Sequence, residues 1–190
     1  TLLSQKERNP LLTTTRGLGE LIIAAIRRGC RRFVIGLGGS ATNEGGMGMI
    51  SVPGFLDMAK GKEFVIACDV DTPFIGPNGA TRTFAPQKGA SPSEVEMLER
   101  RMSEYAAKIK EDTGSDVSDL PGAGAAGGLG GAFRAYLDAI LKKGADMVLD
   151  TLDFDSLIMD ADLIITGEGF SLRDKKLYLG EKLVSDIWGK

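Results

Sequence analysis

The sequence predicts an α/β protein built on a parallel sheet, and three observations carry that prediction. Leu18, Leu21, Ile22, Ala25 and Ile26 recur at helical spacing and lead into a short apolar run, Phe33-Val34-Ile35. A second unbroken apolar run follows, Phe64-Val65-Ile66-Ala67-Cys68. Apolar runs without alternation suit strands covered on both faces, and helix followed by strand is the rhythm of a parallel sheet. Finally, 26 of the 190 residues are glycine, about twice the usual share. They gather in short loops after apolar runs, where a backbone must come close to a ligand.

Taken in order, residues 1–15 are polar and end in Thr13, Thr14 and Thr15, a loop and helix N-cap. The first helix runs through Ile26, and Gly29 stops it. Phe33 to Ile35 is a buried strand, and a glycine-rich loop occupies 36–48. The second strand ends in Asp69-Val70-Asp71. Pro73, Gly76, Pro77, Gly79, Pro86 and Gly89 make 72–90 turn-rich. The clearest helix comes next, with Ser91 as N-cap, Pro92 at its first position and Glu94 completing a capping box. Its apolar stripe is Val95, Leu98, Met102, Tyr105 and Ile109, and Gly114 ends it. A second glycine-rich segment, 121–131, opens a helix through Phe133, Tyr136, Leu137, Ile140 and Leu141 that Gly144 stops. Met147-Val148-Leu149 reads as a third strand, 154–159 as a short helix, and Leu163-Ile164-Ile165 as a fourth strand running into Thr166-Gly167-Glu168-Gly169. The charged tail from Ser171 gives a weak signal, and there is no internal repeat.

Composition narrows the chemistry. The chain has no histidine, which excludes a Ser-His-Asp triad, a His-ligated zinc and a His general base. A net charge of −3 gives no polyanion-binding signal, so no nucleic-acid partner is expected. No apolar run approaches the ~18 residues of a membrane helix, so no membrane partner is expected either. Cys30 and Cys68 form no CxxC pair, which fits a reducing cytoplasm. Thr1 is not an initiator methionine, and the first residues read like the interior of a longer protein.

Five segments can carry chemistry. In Gly36-Leu37-Gly38-Gly39-Ser40-Ala41-Thr42-Asn43-Glu44-Gly45-Gly46, successive backbone N–H groups with the Ser40 and Thr42 hydroxyls can cradle a phosphate or carboxylate. No GK[ST] follows, so it is not a Walker loop. It matches G-x-G-x-x-A, but Asn43 to Gly46 interrupts the helix a dinucleotide fingerprint opens. A tight structural turn is the competing reading. Asp69 and Asp71 follow a strand, where ligands of α/β sheets collect, and suit Mg²⁺ or hydroxyl activation. Residues i and i+2 of a strand share a face, so both carboxylates can point one way; a helix or turn cap is the plainer alternative. Asn78, Arg82, Gln87 and Lys88 can meet an anion; a solvated loop explains Arg82 as well, Lys88 less easily. The glycines of 121–131 lack a preceding strand, and close packing is their favoured explanation. Glu168 between Gly167 and Gly169 is an accessible carboxylate, or a simple turn.

Together these segments resemble the glycerate kinase family of the type I, bacterial class. The matching stretches are RGLGELIIAAIRRGCRRFVIGLGGSATNEGGMGM, ACDVDTPFIGPNGATRTFAPQKGAS, PGAGAAGGLGGAF and ADLIITGEG, in the family's order and covering most of 10–169. The resemblance implies a kinase fold with a discontinuous Rossmann-like domain and a family-specific domain inserted in it. Residues 1–150 would hold mostly the inserted, catalytic domain and 151–190 the start of the return. It implies transfer of phosphate from ATP, with Mg²⁺, to D-glycerate, giving 2- or 3-phosphoglycerate; a homodimer is one possible assembly, and the sequence does not fix the oligomeric state. Carried onto this chain, Gly38, Gly39, Ser40, Thr42, Asn43, Asn78, Glu168 and Gly169 bind substrate or phosphate. Asp69, Asp71 and Lys88 are catalytic, and the two aspartates are metal ligands. The family's N-terminal Asp-Ser-Phe-Lys-Gly-type motif is absent, 50–63 is shorter than the family's variable segment, and the residues after Gly169 do not match. If these 190 residues are the whole protein, little kinase activity is expected. A non-catalytic nucleotide- or glycerate-binding module and a nicotinamide-dependent dehydrogenase are the competing readings.

Overall fold

The computed structural model describes residues 8–161 and three later strands at 170–173, 176–179 and 182–186. The chain divides into two compact units, Thr1–Val148 and Leu149–Lys190.

The first unit contains a parallel sheet of β1 (Arg32–Gly36), β2 (Glu63–Ala67) and β3 (Ile140–Lys142), in that spatial order. Phe33 lies opposite Phe64, and Val65 lies opposite both Val34 and Ile140. Because side chains alternate along a strand, this register separates two faces. Phe33, Ile35, Phe64, Ile66 and Leu141 join the main core. Helices α1 (Arg16–Arg27), α3 (Phe55–Ala59) and α6 (Ala125–Leu137) supply Ile22, Ile23, Phe55, Ala59, Leu129 and Phe133 to it. Phe33 stacks on Phe64 with ring centroids 4.9 Å apart, and Phe64 meets Phe133 at 6.1 Å. On the opposite face Val34 is 65% exposed and Ile140 52%. Val65, between them on the central strand, is buried at 8% exposed.

A second core lies around α5 (Pro92–Thr113), where Met102, Tyr105, Ala106 and Ile109 pack with Phe74, Ala80 and Val117. The expected capping box is present, Ser91 N–H donating to Glu94 at 2.7 Å, and Gly114 closes the helix in the left-handed conformation at φ 77°. The whole expected stripe of α5 is buried.

The second unit begins inside α7 (Gly144–Leu152) and includes α8 (Phe154–Ile158), at the position where a short helix was expected. The charged tail contributes β4 (Phe170–Arg173), β5 (Lys176–Leu179) and β6 (Lys182–Asp186), an antiparallel meander. The expected strand 163–165 lies outside the described residues.

Three sequence expectations are corrected. The helix expected to run through Leu141 stops at Leu137, because Asp138 turns left-handed at φ 50°. Ile140 then starts β3, where it pairs with Val65. Met147-Val148-Leu149 is not a strand but the middle of α7, which Gly144 begins. A short apolar run does not distinguish strand from helix, and Ala145, Val148, Leu149 and Leu152 also fit helical spacing. The turn-rich segment 72–90 contains a one-turn helix, α4 (Ala80–Phe84), and a 3-10 turn, Pro86–Lys88.

Candidate active site

The carboxyl ends of β1, β2 and β3 form one edge, and the loop after β1 is its main feature. Leu37 N–H donates to Ala67 O at 2.9 Å, the last ladder bond before the chain leaves the sheet. From Gly38 to Glu44, seven consecutive backbone N–H groups find no acceptor among the described residues. Gly38 and Gly39 are exposed, Ser40, Ala41 and Thr42 half-buried. Gly39 takes φ 61°. Such a run of free donors is the raw material of an anion site. It does not arise from lack of side-chain space, since a Cβ added at Gly36, Gly38 or Gly39 would meet nothing within 4 Å.

The loop is held from several sides. Thr13 Oγ1 donates to Ala41 O at 2.7 Å, and Lys88 Nζ donates to Thr42 O at 2.7 Å. Asn43, 1% exposed, donates from Nδ2 to Thr81 Oγ1 at 2.9 Å, and its buried Oδ1 has no partner. Glu44 accepts from Thr15 N–H at 3.0 Å, from the Thr15 hydroxyl, and from Gly48 N–H at 2.7 Å. Thr15 Oγ1 in turn accepts from Met49 N–H at 2.9 Å. Glu44 thus ties the start of α1 to the start of α2 (Met47–Ile50). A cavity of about 430 Å³ lies between this region and α5, lined by Leu11, Thr13, Asn43, Met47, Met102 and Tyr105 among others.

Lys88 is the most perturbed cation near the loop. It is 7% exposed, its Nζ lies 5.9 Å from the Phe84 ring centroid, and burial lowers its pKa from the ordinary 10.5 to about 8. Among the described residues no ion pair offsets that cost.

The aspartates behave differently from the pleated pair the sequence suggested. β2 stops at Ala67, so Asp69 and Asp71 lie in irregular chain, where the alternation of strand side chains no longer relates them. Asp69 Oδ1 accepts from Gly144 N–H at 2.7 Å, at the first residue of α7, the helix-cap role. Asp71 is exposed. Asn78 is exposed in the turn before α4, with its carbonyl accepting from Thr83 Oγ1 at 3.2 Å. Arg82, a candidate to meet an anion, instead makes a two-point pair with Glu96 at 2.7 and 2.9 Å. Glu168 and Gly169 lie outside the described residues. Among the described residues no three His, Cys, Asp or Glu side chains gather as a metal cluster, and no helix is long and apolar enough to cross a membrane.

Residues 121–131 take the packing role. Gly45 N–H donates to Gly127 O at 2.9 Å, and a Cβ on Gly127 (φ 71°) would collide with Thr42 O. Sequence reasoning missed Thr15, Glu44 and Thr81 as loop supports. The run Thr13-Thr14-Thr15 was the one visible hint, since Glu44 and Thr81 meet their partners only through long-range folding.

Free backbone donors at the carboxyl edge of a parallel sheet, with a buried cation one peptide away, mark the loop after β1 as the candidate site of an α/β protein. Comparison with known proteins specifies it further: the pattern of the glycerate kinase family matches residues 1–60 and 50–176, and the chain belongs to that family. It is 44% identical to a glycerate kinase of Bacillus subtilis (strain 168), with 86% of this chain and 50% of that protein covered. It is 42% identical to a glycerate 2-kinase of Escherichia coli (strain K12), covering 88% of this chain and 51% of the relative. A crystal structure assigned as glycerate kinase 2 of Salmonella typhimurium LT2 superposes with a TM-score of 0.77 at 38% identity, covering 87% of this chain and 52% of that one. The chain spans about half the length of the curated relatives it matches.

Proposed function

We propose that this protein acts as a glycerate kinase, transferring the terminal phosphate of ATP to a hydroxyl of D-glycerate. The observation that carries this reading is the row of unpaired N–H groups from Gly38 to Glu44, set beside a buried lysine, in a chain of this family. Phosphoryl transfer needs positioning and charge neutralisation more than covalent chemistry, and a histidine-free site can supply both.

In this reading the loop N–H groups with Ser40 and Thr42 hold a phosphate or the glycerate carboxylate. The adjacent cavity gives an organic ligand room. The glycerate oxygen forms a bond to the terminal phosphorus as the bond to the departing ADP oxygen breaks. The proton of the hydroxyl passes to a carboxylate. Asp71 is exposed and free for that role, whereas Asp69 has one oxygen tied to Gly144. Mg²⁺ takes one or two carboxylates and completes its shell with phosphate oxygens and water. The remaining Asp69 oxygen would hold it, leaving Asp71 to take the proton, and when bound it neutralises charge on the transferring phosphate. The free thiols of Cys30 and Cys68 favour a reducing cytoplasm as the setting.

A coupled ADP-release assay with D-glycerate, ATP and Mg²⁺ tests the reading. Glycerate-dependent release that falls about a hundredfold in Asp71→Asn, the scale of lost acid–base help, supports it. Folded protein that releases no ADP sinks the enzyme and leaves a binding module, which isothermal titration with D-glycerate would then identify.

A further inference from the structure

A row of backbone N–H groups attracts an anion only if the carbonyls of the same residues are turned elsewhere, since a carbonyl oxygen among the donors cancels their field. In this loop, two carbonyls beside the N–H row are occupied by side chains from distant parts of the sequence. Thr13 hydroxyl takes Ala41 O, and Lys88 ammonium takes Thr42 O, each at 2.7 Å. Stability does not explain Lys88. A buried ammonium held by a single neutral oxygen is costly, and an apolar side chain of similar length would pack at less cost.

We propose that Thr13 and Lys88 are positioning residues that anchor the Ala41 and Thr42 carbonyls and so keep the N–H groups of Gly38 to Asn43 free for a phosphate or carboxylate group. The proposal rests on the loop being the anion site named above. It assigns Lys88 to the loop's backbone and not to direct contact with the reacting atoms. The Thr42 carbonyl shares its peptide with the Asn43 N–H, so the lysine's charge reaches the anion through that N–H, which it polarises. The groups around it are the Thr42 carbonyl, the Phe84 ring, and on its own turn Gln87, whose carbonyl accepts from Arg8 at 3.4 Å.

The test is a titration of the ¹⁵N-labelled protein with inorganic phosphate and, separately, with D-glycerate, following the amide resonances of Gly38 to Asn43. Saturable shifts are expected, and the arm that saturates at lower concentration tells which anion the loop prefers. Affinity is expected to fall about tenfold or more in Thr13→Val and Lys88→Met, the scale of one lost hydrogen bond to a charge or polar network. Thr13→Ser, which keeps the hydroxyl, should restore it. Above about pH 8 the wild type should lose affinity as Lys88 gives up its proton, while Lys88→Met stays weak at every pH. Folded Thr13→Val and Lys88→Met proteins that bind like wild type would overturn the positioning roles and leave the anion loop standing. Absence of shifts in the wild type would overturn the anion loop itself. If Lys88→Met does not fold, the Thr13 pair of variants decides.

Discussion

Two glycine-rich segments of this chain look alike as text and behave oppositely. Residues 36–46 and 121–131 both contain a G-x-G-x-x-G/A pattern. In the first, added Cβ atoms at Gly36, Gly38 and Gly39 would touch nothing, and only Gly45 and Gly46 at its far end pack, against Tyr105 and Ala132. In the second, Cβ atoms at Gly124, Gly127, Gly128, Gly130 and Gly131 would each collide with backbone or aromatic neighbours. The front of the first segment leaves its N–H groups unpaired and its glycines open. The other is glycine-rich because two backbones cross at close range. Glycine content alone carries neither meaning; what each Cβ would meet decides it.

The comparison breaks most readily at Gly127. Its left-handed φ and the clash with Thr42 O act together, so Gly127→Ala should cost about 3 kcal/mol or prevent folding; thermal unfolding gives the answer, and a near-normal Tm would mean the segments differ less than their contacts say. The effect at Lys88 is similar in size but depends on pH. Its folded pKa lies near 8 and its ordinary value at 10.5. Between those values the unfolded chain binds the extra proton, so stability rises with pH across that window, by about 3 kcal/mol in all. Urea unfolding of wild type and Lys88→Met at pH 7 and pH 10 should show this rise in the wild type and not in the variant. Thr15→Val removes a donor to Glu44 and leaves the buried Met49 N–H unpaired. A loss of about 2 kcal/mol is expected from urea unfolding. Gly39→Ala sharpens the contrast with Gly127. It meets no neighbour, and only the left-handed φ of 61° opposes it, so about 1 kcal/mol should be lost. The smallest effect belongs to Arg82→Ala, where an exposed pair with Glu96 is removed. No shift in Tm should be resolvable, because exposed pairs are screened and flexible.

Legibility from sequence followed the range of the interactions involved. The long α5 was readable because its caps and stripe lie within one stretch of chain. The strands 33–35 and 64–67 were readable as apolar runs. The chain between Leu137 and Leu152 was misread twice, since Ile140-Leu141 and Met147-Val148-Leu149 are both short apolar runs that satisfy either period. Pairing with β2 made a strand of the first, and Asp69 capping at Gly144 accompanies the helix of the second. Of the candidate site residues, Lys88 and Asn43 proved buried and attached to or part of the loop, while Asn78 and Arg82 are exposed. Arg82 found an acid ten or more residues away that no local pattern announced.

By itself, then, the sequence determined the class of fold, the family it resembles and the position of the loop after β1. These depend on local propensity, on apolar periodicity and on a set of motifs kept in order. Tertiary structure alone decided which glycines are open and which are packed, that Asp69 is partly spent on α7, and that Thr13 and Lys88 meet successive carbonyls of one loop. Each of those outcomes rests on contacts between residues far apart in the chain, and burial and hydrogen-bond pairing of that kind exist only once the chain has folded.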